Sequence, residues 1–188
     1  MQGKNEKSSA RGRDGEVSMR LFLAIQFDEP MVRALTEFQE KLRAFGMRGR
    51  FAPPENLHLT LAFIGEYAAP DAVMDAASSV PFRPVRLRLD GVGSFGNLYW
   101  VGLAKDETLA AYVKKLRGAL AANEIPYDRK RFSPHITLVR NASFQGESLW
   151  PQVEPPQGET EAKGVSLMRS DRGKHGMIYT EIGWIGGE

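Results

Sequence analysis

The sequence predicts an α+β fold: two lobes related by a pseudo-twofold axis, each an antiparallel sheet with helices outside, around a central groove. Three observations point there. Two tetrapeptides, His58-Leu-Thr-Leu61 and His135-Ile-Thr-Leu138, repeat one another 77 positions apart. Each reads as a strand fragment of period two, with His and Thr on one face and two aliphatic residues on the other. Each also closes a strand, helix, strand series, and the spacing to the motif agrees: 35 positions from Leu23 to His58 and 34 from Val101 to His135. Such a duplication brings both motif strands to one cleft.

The bulk properties leave room for this. A chain of 188 residues, 42% hydrophobic and 26% charged, can bury one sizeable core. No apolar run approaches the roughly 20 residues of a membrane helix, and the N-terminus has no secretion-signal pattern. With no cysteine there are no disulfides and no thiolate ligands or nucleophiles, which suits a cytoplasmic setting. The net charge of +2 comes wholly from residues 1–20, where Lys4, Lys7, Arg11, Arg13 and Arg20 outnumber Glu6, Asp14 and Glu16. Global charge therefore says nothing about a nucleic-acid partner.

Residues 1–18 are polar and lack periodicity, so they read as a disordered basic tail, with 19–188 as a single bilobal domain. Arg20 to Phe27 is a short apolar strand. Asp28 caps the following helix and Pro30 sits in its first turn. The stripe Met31, Leu35, Phe38, Leu42, Phe45 marks its buried side, and Gly46 stops it. A basic loop with Arg48 and Arg50 leads to the first motif strand, Leu57 to Ile64, closed by Gly65-Glu66. Residues 70–79 form a short helix started at Asp71. Val85, Leu87 and Leu89 then alternate with Arg86 and Arg88 in a half-exposed strand, with the arginines on the water side.

The order then repeats. Leu98 to Ala104 is a strand, Asp106 caps a helix with the stripe Leu109, Val113, Leu116, Leu120, and a loop from Asn123 leads to the second motif strand, Pro134 to Arg140. Residues 145–162 read as a surface connection. Val165 to Ser170 and Met177 to Ile185 are two last strands, joined at Arg172-Gly-Lys174.

An imidazole titrates near pH 6.5, so of two facing a cleft one can accept a proton while the other donates one. In-line phosphoester cleavage needs that pairing, each partner contributing on the order of 10² to 10⁴ in rate. A Thr hydroxyl two residues on can hold a non-bridging phosphate oxygen, stiffened at χ1 by its β-branch. A lone strand histidine is most often structural; a matched pair with matched threonines is not. There is no HExxH and no acidic cluster beside the motifs, so neither metal nor other cofactor is expected. Arg140 lies five residues after His135 and on a regular strand would face away from it.

These segments resemble the 2H phosphoesterases, and within them the LigT-like RNA 2′,3′-cyclic phosphodiesterases, first described as 2′-5′ RNA ligases. That family is marked by two His-x-Thr-x tetrapeptides on opposed lobes of a bilobal α+β fold. Met19-Arg-Leu-Phe-Leu-Ala-Ile25 is similar to its opening strand, Leu57-His-Leu-Thr-Leu-Ala-Phe-Ile-Gly-Glu66 to its first motif, and Phe132-Ser-Pro-His-Ile-Thr-Leu-Val-Arg140 to its second. The resemblance implies hydrolysis of a 2′,3′-cyclic phosphate at an RNA 3′ end to a 2′-phosphate, with 2′-5′ joining as the reverse. It marks His58 and His135 as the acid–base pair; His135 activating water and His58 protonating the 3′ oxygen is the division taken here, with the exchanged roles open beside it. Thr60, Thr137 and Arg140 would then contact phosphate, which for Arg140 requires a bulge or the strand's end; a structural ion pair is its rival role. The implied partner is RNA with a cyclic phosphate end, acted on by a monomer away from membranes.

Arg129-Lys-Arg131 is either a cationic rim for RNA phosphates or a solvated loop. Phe51, Phe95, Tyr99 and Trp100 are core residues first and stacking candidates second. His175 reads as an exposed turn residue. Two other classes of function stay open: a 2H phosphoesterase acting on small cyclic nucleotides, and a non-catalytic module that binds RNA ends.

Overall fold

The two motif strands lie in different antiparallel sheets of the computed structural model, which describes residues 17–145 and 152–186. One sheet runs, edge to edge, through β3 (His58–Tyr67), β1 (Met19–Gln26), β8 (Gly164–Arg172) and β9 (Met177–Gly186). The other runs through β2 (Met47–Phe51), β6 (His135–Phe144), β5 (Leu98–Leu103), β4 (Val85–Phe95) and β7 (Glu159–Ala162). In each sheet a motif strand pairs with the opening strand of its own half, β3 with β1 and β6 with β5. Of the expected tail at 1–18, all but Val17 and Ser18 lies outside the described residues.

The two halves start their helices in the same way. The Asp28 carboxylate accepts from the Met31 amide at 3.0 Å to open α1 (Glu29–Ala44), and the Asp106 carboxylate accepts from the Leu109 amide at 2.7 Å to open α3 (Glu107–Ala122). Both helices are 16 residues long. Their stripes pack as expected: Met31, Leu35, Phe38 and Leu42 in α1, and Leu109, Val113, Leu116 and Leu120 in α3, are all buried. Phe45 departs from the expectation. The helix ends one residue before it, so its ring turns outward and stays 57% exposed.

The helices then cross over. α1 leaves the first sheet but lies against the second, where Met31 and Ala34 close on Gly158 just ahead of β7. α3 leaves the second sheet but lies along β3 of the first, beside α2 (Pro70–Ser78), whose Met74 packs onto Gly183 of β9. One apolar cluster therefore holds Leu21, Leu23, Leu59 and Leu61 of one sheet together with Val101, Ile136 and Leu138 of the other. The opposite face of the first sheet carries a separate small cluster of Phe22, Ala24 and Met168, flanked by Phe63 and Tyr179.

Other differences from the sequence reading are local. Arg48 and Arg50 stand on β2 rather than in a loop, because that edge strand buries only Met47 and presents the rest to water. The connection after residue 145 contains β7, four residues long, whose Thr160 and Ala162 alternate inward between glutamates. The first motif strand runs on past Gly65-Glu66 to Tyr67. The α2 helix begins at Pro70 with no side-chain cap, so Asp71 lies in its first turn. Among the described residues no helix is long and apolar enough to cross a membrane.

Candidate active site

Backbone irregularity places the site residues. Along β3, Thr60 pairs with Ala24 and Ala62 with Leu23, leaving Leu61 without a partner position on β1. Along β6, Thr137 pairs with Trp100 and Val139 with Tyr99, leaving Leu138 without one on β5. Each motif strand thus carries a β-bulge at the residue after its threonine, which resets the alternation of faces. Leu61 and Ala62 are both buried in the main core, as are Leu138 and Val139. The residues that follow, Phe63 and Arg140, are thereby returned to the face of the histidines. Phe63 joins the separate cluster on that face. Arg140, which strict alternation would have turned away, is exposed there, and its positive charge acts on His58.

The imidazoles are held identically. The Nδ1 of His58 lies 2.7 Å from the Asn56 carbonyl oxygen, and the Nδ1 of His135 lies 2.7 Å from the Ser133 carbonyl oxygen. A carbonyl can only accept, so each Nδ1 carries a hydrogen and donates it two residues back. Nε2 is the nitrogen that the backbone anchor leaves available in both rings. Neutral His58 accepts at Nε2 from the Thr60 hydroxyl at 3.0 Å. Thr137 is half-buried on the face of His135, as Thr60 is on that of His58.

The electrostatics of the two histidines differ. Burial holds the pKa of His58 down at about 4, against the pull of the Asn56 carbonyl, and the charges of Arg140 and His135 push the same way. His58 is therefore neutral at pH 7 in the free protein. That His135 and Arg140 act on it places residues of both sheets around one cleft.

Each imidazole also has two aromatic neighbours. Phe22 and Tyr179 stand 5.0 and 5.3 Å from the His58 ring, and Phe95 and Trp100 stand 5.1 and 6.1 Å from the His135 ring. Of the four aromatics singled out from sequence, Tyr99 is core, Phe51 lies 3.9 Å under the Arg43 guanidinium, and Phe95 and Trp100 line the cleft. Phe22 and Tyr179, the two neighbours of His58, were not singled out from sequence, where nothing ties their strands to the first motif. Arg129, Lys130 and Arg131 are exposed in the loop ahead of β6, where Lys130 pairs with Asp128 at 3.5 Å. His175 is exposed in the turn between β8 and β9. No group of three or more His, Asp or Glu side chains converges as a metal site among the described residues.

Known proteins resemble this chain over most of its length. A family model for the 2′-5′ RNA ligase superfamily matches residues 28–174. The chain belongs to that superfamily. An RNA 2′,3′-cyclic phosphodiesterase of Thermus thermophilus is 34% identical over 183 residues, covering 87% of this chain and 88% of that protein. One of Methanocaldococcus jannaschii is 28% identical, covering 87% of this chain and 98% of the relative. Among solved structures, Escherichia coli LigT complexed with 3′-AMP superposes with a TM-score of 0.78 at 25% identity, covering 90% of this chain and 98% of that one. The bilobal α+β fold of two antiparallel sheets is thus the fold of this superfamily, and the chain is one of its phosphoesterases.

Proposed function

We propose that this protein hydrolyses the 2′,3′-cyclic phosphate at RNA 3′ ends to a 2′-phosphate, through His58 and His135 and without a metal. The observation that carries the reading is the matched pair of imidazoles, each fixed through Nδ1 to a backbone carbonyl and near enough that His135 acts electrostatically on His58. The relatives from Thermus thermophilus and Methanocaldococcus jannaschii bear the name of that activity.

In the proposed step, His135 takes a proton from water as its oxygen bonds to phosphorus. The bond from phosphorus to the 3′ oxygen breaks, and His58 delivers a proton to that oxygen. Thr60, Thr137 and Arg140 bind the non-bridging oxygens, where negative charge gathers. An RNA 5′ hydroxyl in place of water would leave a 2′-5′ linkage, so joining uses the same groups. The working unit is 19–188 as one bilobal domain, monomeric and cytoplasmic, with 1–18 as a basic extension.

His58 must then gain a proton when substrate binds, because in the free protein it is neutral. Phosphate charge beside Nε2 drives that gain. Its low pKa favours a second reading, in which His58 is the base as it stands and His135 the acid. NMR of both imidazoles with a 2′-phosphorylated RNA end bound separates the two: a charged His58 ring supports the first, and a neutral His58 beside a charged His135 supports the second.

The reaction itself is tested with a short RNA ending in 2′,3′-cyclic phosphate, in EDTA, beside His58→Ala and His135→Ala. Conversion to a 2′-phosphate by the wild type alone is the expected result. An intact cyclic end would sink the reading for RNA, and turnover of a 2′,3′-cyclic mononucleotide instead would favour a small-molecule phosphoesterase. Binding without turnover of either would favour the RNA-end module.

A further inference from the structure

Gln39 and Arg117 hold the same place in the two crossed-over helices, each eleven residues after its capping aspartate. Gln39 is a polar residue inside the apolar stripe of α1, only 3% exposed. Its Nε2 donates to the Leu138 carbonyl at 3.1 Å and to the Ala52 carbonyl at 2.9 Å. Arg117 donates from Nε to the Leu61 carbonyl at 3.0 Å and from Nη1 to the Lys130 carbonyl at 2.8 Å. Leu138 and Leu61 are the two bulge residues. Ala52 and Lys130 belong to the segments that lead into His58 and His135.

Each side chain therefore ties the bulge of one motif to the lead-in of the other. The chemistry matches to the atom: Nε2 of glutamine and Nε of arginine both hang from Cδ, the same number of bonds from the backbone. The Leu138 carbonyl also accepts from the Ala52 amide at 2.8 Å, so Gln39 adds a side-chain donor to a backbone one at that bulge, and Arg117 supplies the side-chain donor at the other. Arg117 is further held between the Tyr127 and Phe132 rings, at 5.9 and 5.6 Å.

We propose that Gln39 and Arg117 are positioning residues, two crossed clasps that fix the motif strands against each other. They keep both Nε2 atoms and the Arg140 guanidinium in register across the cleft. The proposal rests on the two-histidine reading above. A residue that merely satisfied buried carbonyls would change stability and leave the chemistry of the folded protein alone.

The test uses Gln39→Met and Arg117→Met, which keep an unbranched apolar stem without the donors, and Arg117→Gln, which installs the other half's donor. Kinetics on the cyclic-ended RNA are measured well below each variant's melting temperature, and the His58 pKa is followed by NMR titration. Both Met variants should lose about tenfold to a hundredfold in kcat with KM little changed, as expected when reacting groups are misplaced by about an ångström. The His58 pKa should rise in both, because Arg140 and His135 are no longer held beside it. Arg117→Gln should recover most of kcat. Folded Met variants with wild-type kcat and wild-type His58 titration would overturn the proposal. Should Gln39→Met not fold, Gln39→Asn keeps an amide one methylene too short to span both carbonyls; wild-type kcat there would equally overturn it. If the wild type leaves the cyclic end intact, the two-histidine reading has failed, and the His58 titration alone decides for or against the clasps.

Discussion

Arg140 stands behind the bulge of the second motif where Phe63 stands behind the bulge of the first. The duplicated backbone delivers two side chains to equivalent places on the histidine face, and the chain uses one for charge and the other for packing. Phe63 joins Phe22, Ala24 and Met168, with the Arg20 guanidinium 4.8 Å over its ring. The cleft is thus pseudo-symmetric in its imidazoles and asymmetric in its cation. Arg140→Met should lower kcat/KM by roughly 10² to 10³, the usual cost of one donor aimed at developing charge. It should also raise the His58 pKa, since the Arg140 charge is one cause of its depression. Steady-state kinetics with an NMR titration check both effects, and an unchanged rate would return Arg140 to a structural role.

The rate on a cyclic-ended RNA should be bell-shaped in pH, because one imidazole must be neutral and the other charged. The acid limb of kcat/KM should lie near pH 4, where His58 titrates in the free protein. Both divisions of labour give this bell, so it tests the pair and leaves the assignment to the charge of each ring in the bound state. A rate climbing steadily to pH 10 would count against two-histidine catalysis.

Stability should depend on pH through the same residue. The folded pKa of His58 is about 4, below the ordinary 6.5, so between those values the unfolded chain binds the extra proton. Stability is then fully present above about pH 6.5 and falls as pH drops toward 4, by at most about 3 kcal/mol. Urea denaturation at pH 7.5 and pH 5 measures the fall. In His58→Gln, which has no proton to bind in that window, the difference between the two pH values should shrink.

Chelation should do nothing. The proposed step takes its charge stabilisation from Arg140 and the threonines and its proton transfers from imidazoles. Hydrolysis after extensive dialysis against EDTA should match that of untreated protein. Activity lost to EDTA and restored by one divalent ion would overturn the metal-free reading.

The regular parts of this fold were legible because pattern and packing agree. Asp28 and Asp106 cap where a short acidic side chain precedes an apolar stripe, and Leu59 and Ile136 alternate inward as period two requires. Two strands escaped notice for a physical reason. β2 buries only Met47, and β7 is four residues with glutamates at positions one and three, so neither carries an apolar run. The bulges could not be read from the residues alone, since a bulge is defined by the partner strand; only the resemblance asked for one, or for the strand's end, before Arg140. That is why Arg140 looked turned away by sequence and stands on the histidine face in the fold. The clasp of Gln39 and Arg117 did leave a trace, the shared offset from the capping aspartates, but unlike residue types hid it.

Two glycines give the last prediction, with opposite signs. Gly93 pairs with Trp100 across β4 and β5, and a Cβ at that position would meet the indole Cζ2 at 2.4 Å. The ring cannot shift freely, because Phe95 lies 5.2 Å from it and the His135 ring 6.1 Å. Gly93→Ala should therefore cost about 1 to 3 kcal/mol through overpacking and lower the rate by disturbing the wall beside His135. Gly118 sits exposed within α3, where an added methyl would have nothing within 4 Å. Gly118→Ala should stabilise by about 0.5 to 1 kcal/mol, the helix-propensity difference, and leave the rate alone. Thermal denaturation and kcat of the two variants side by side check both signs. A harmless Gly93→Ala would mean the indole is free to move, and Trp100 would then have no part in fixing His135.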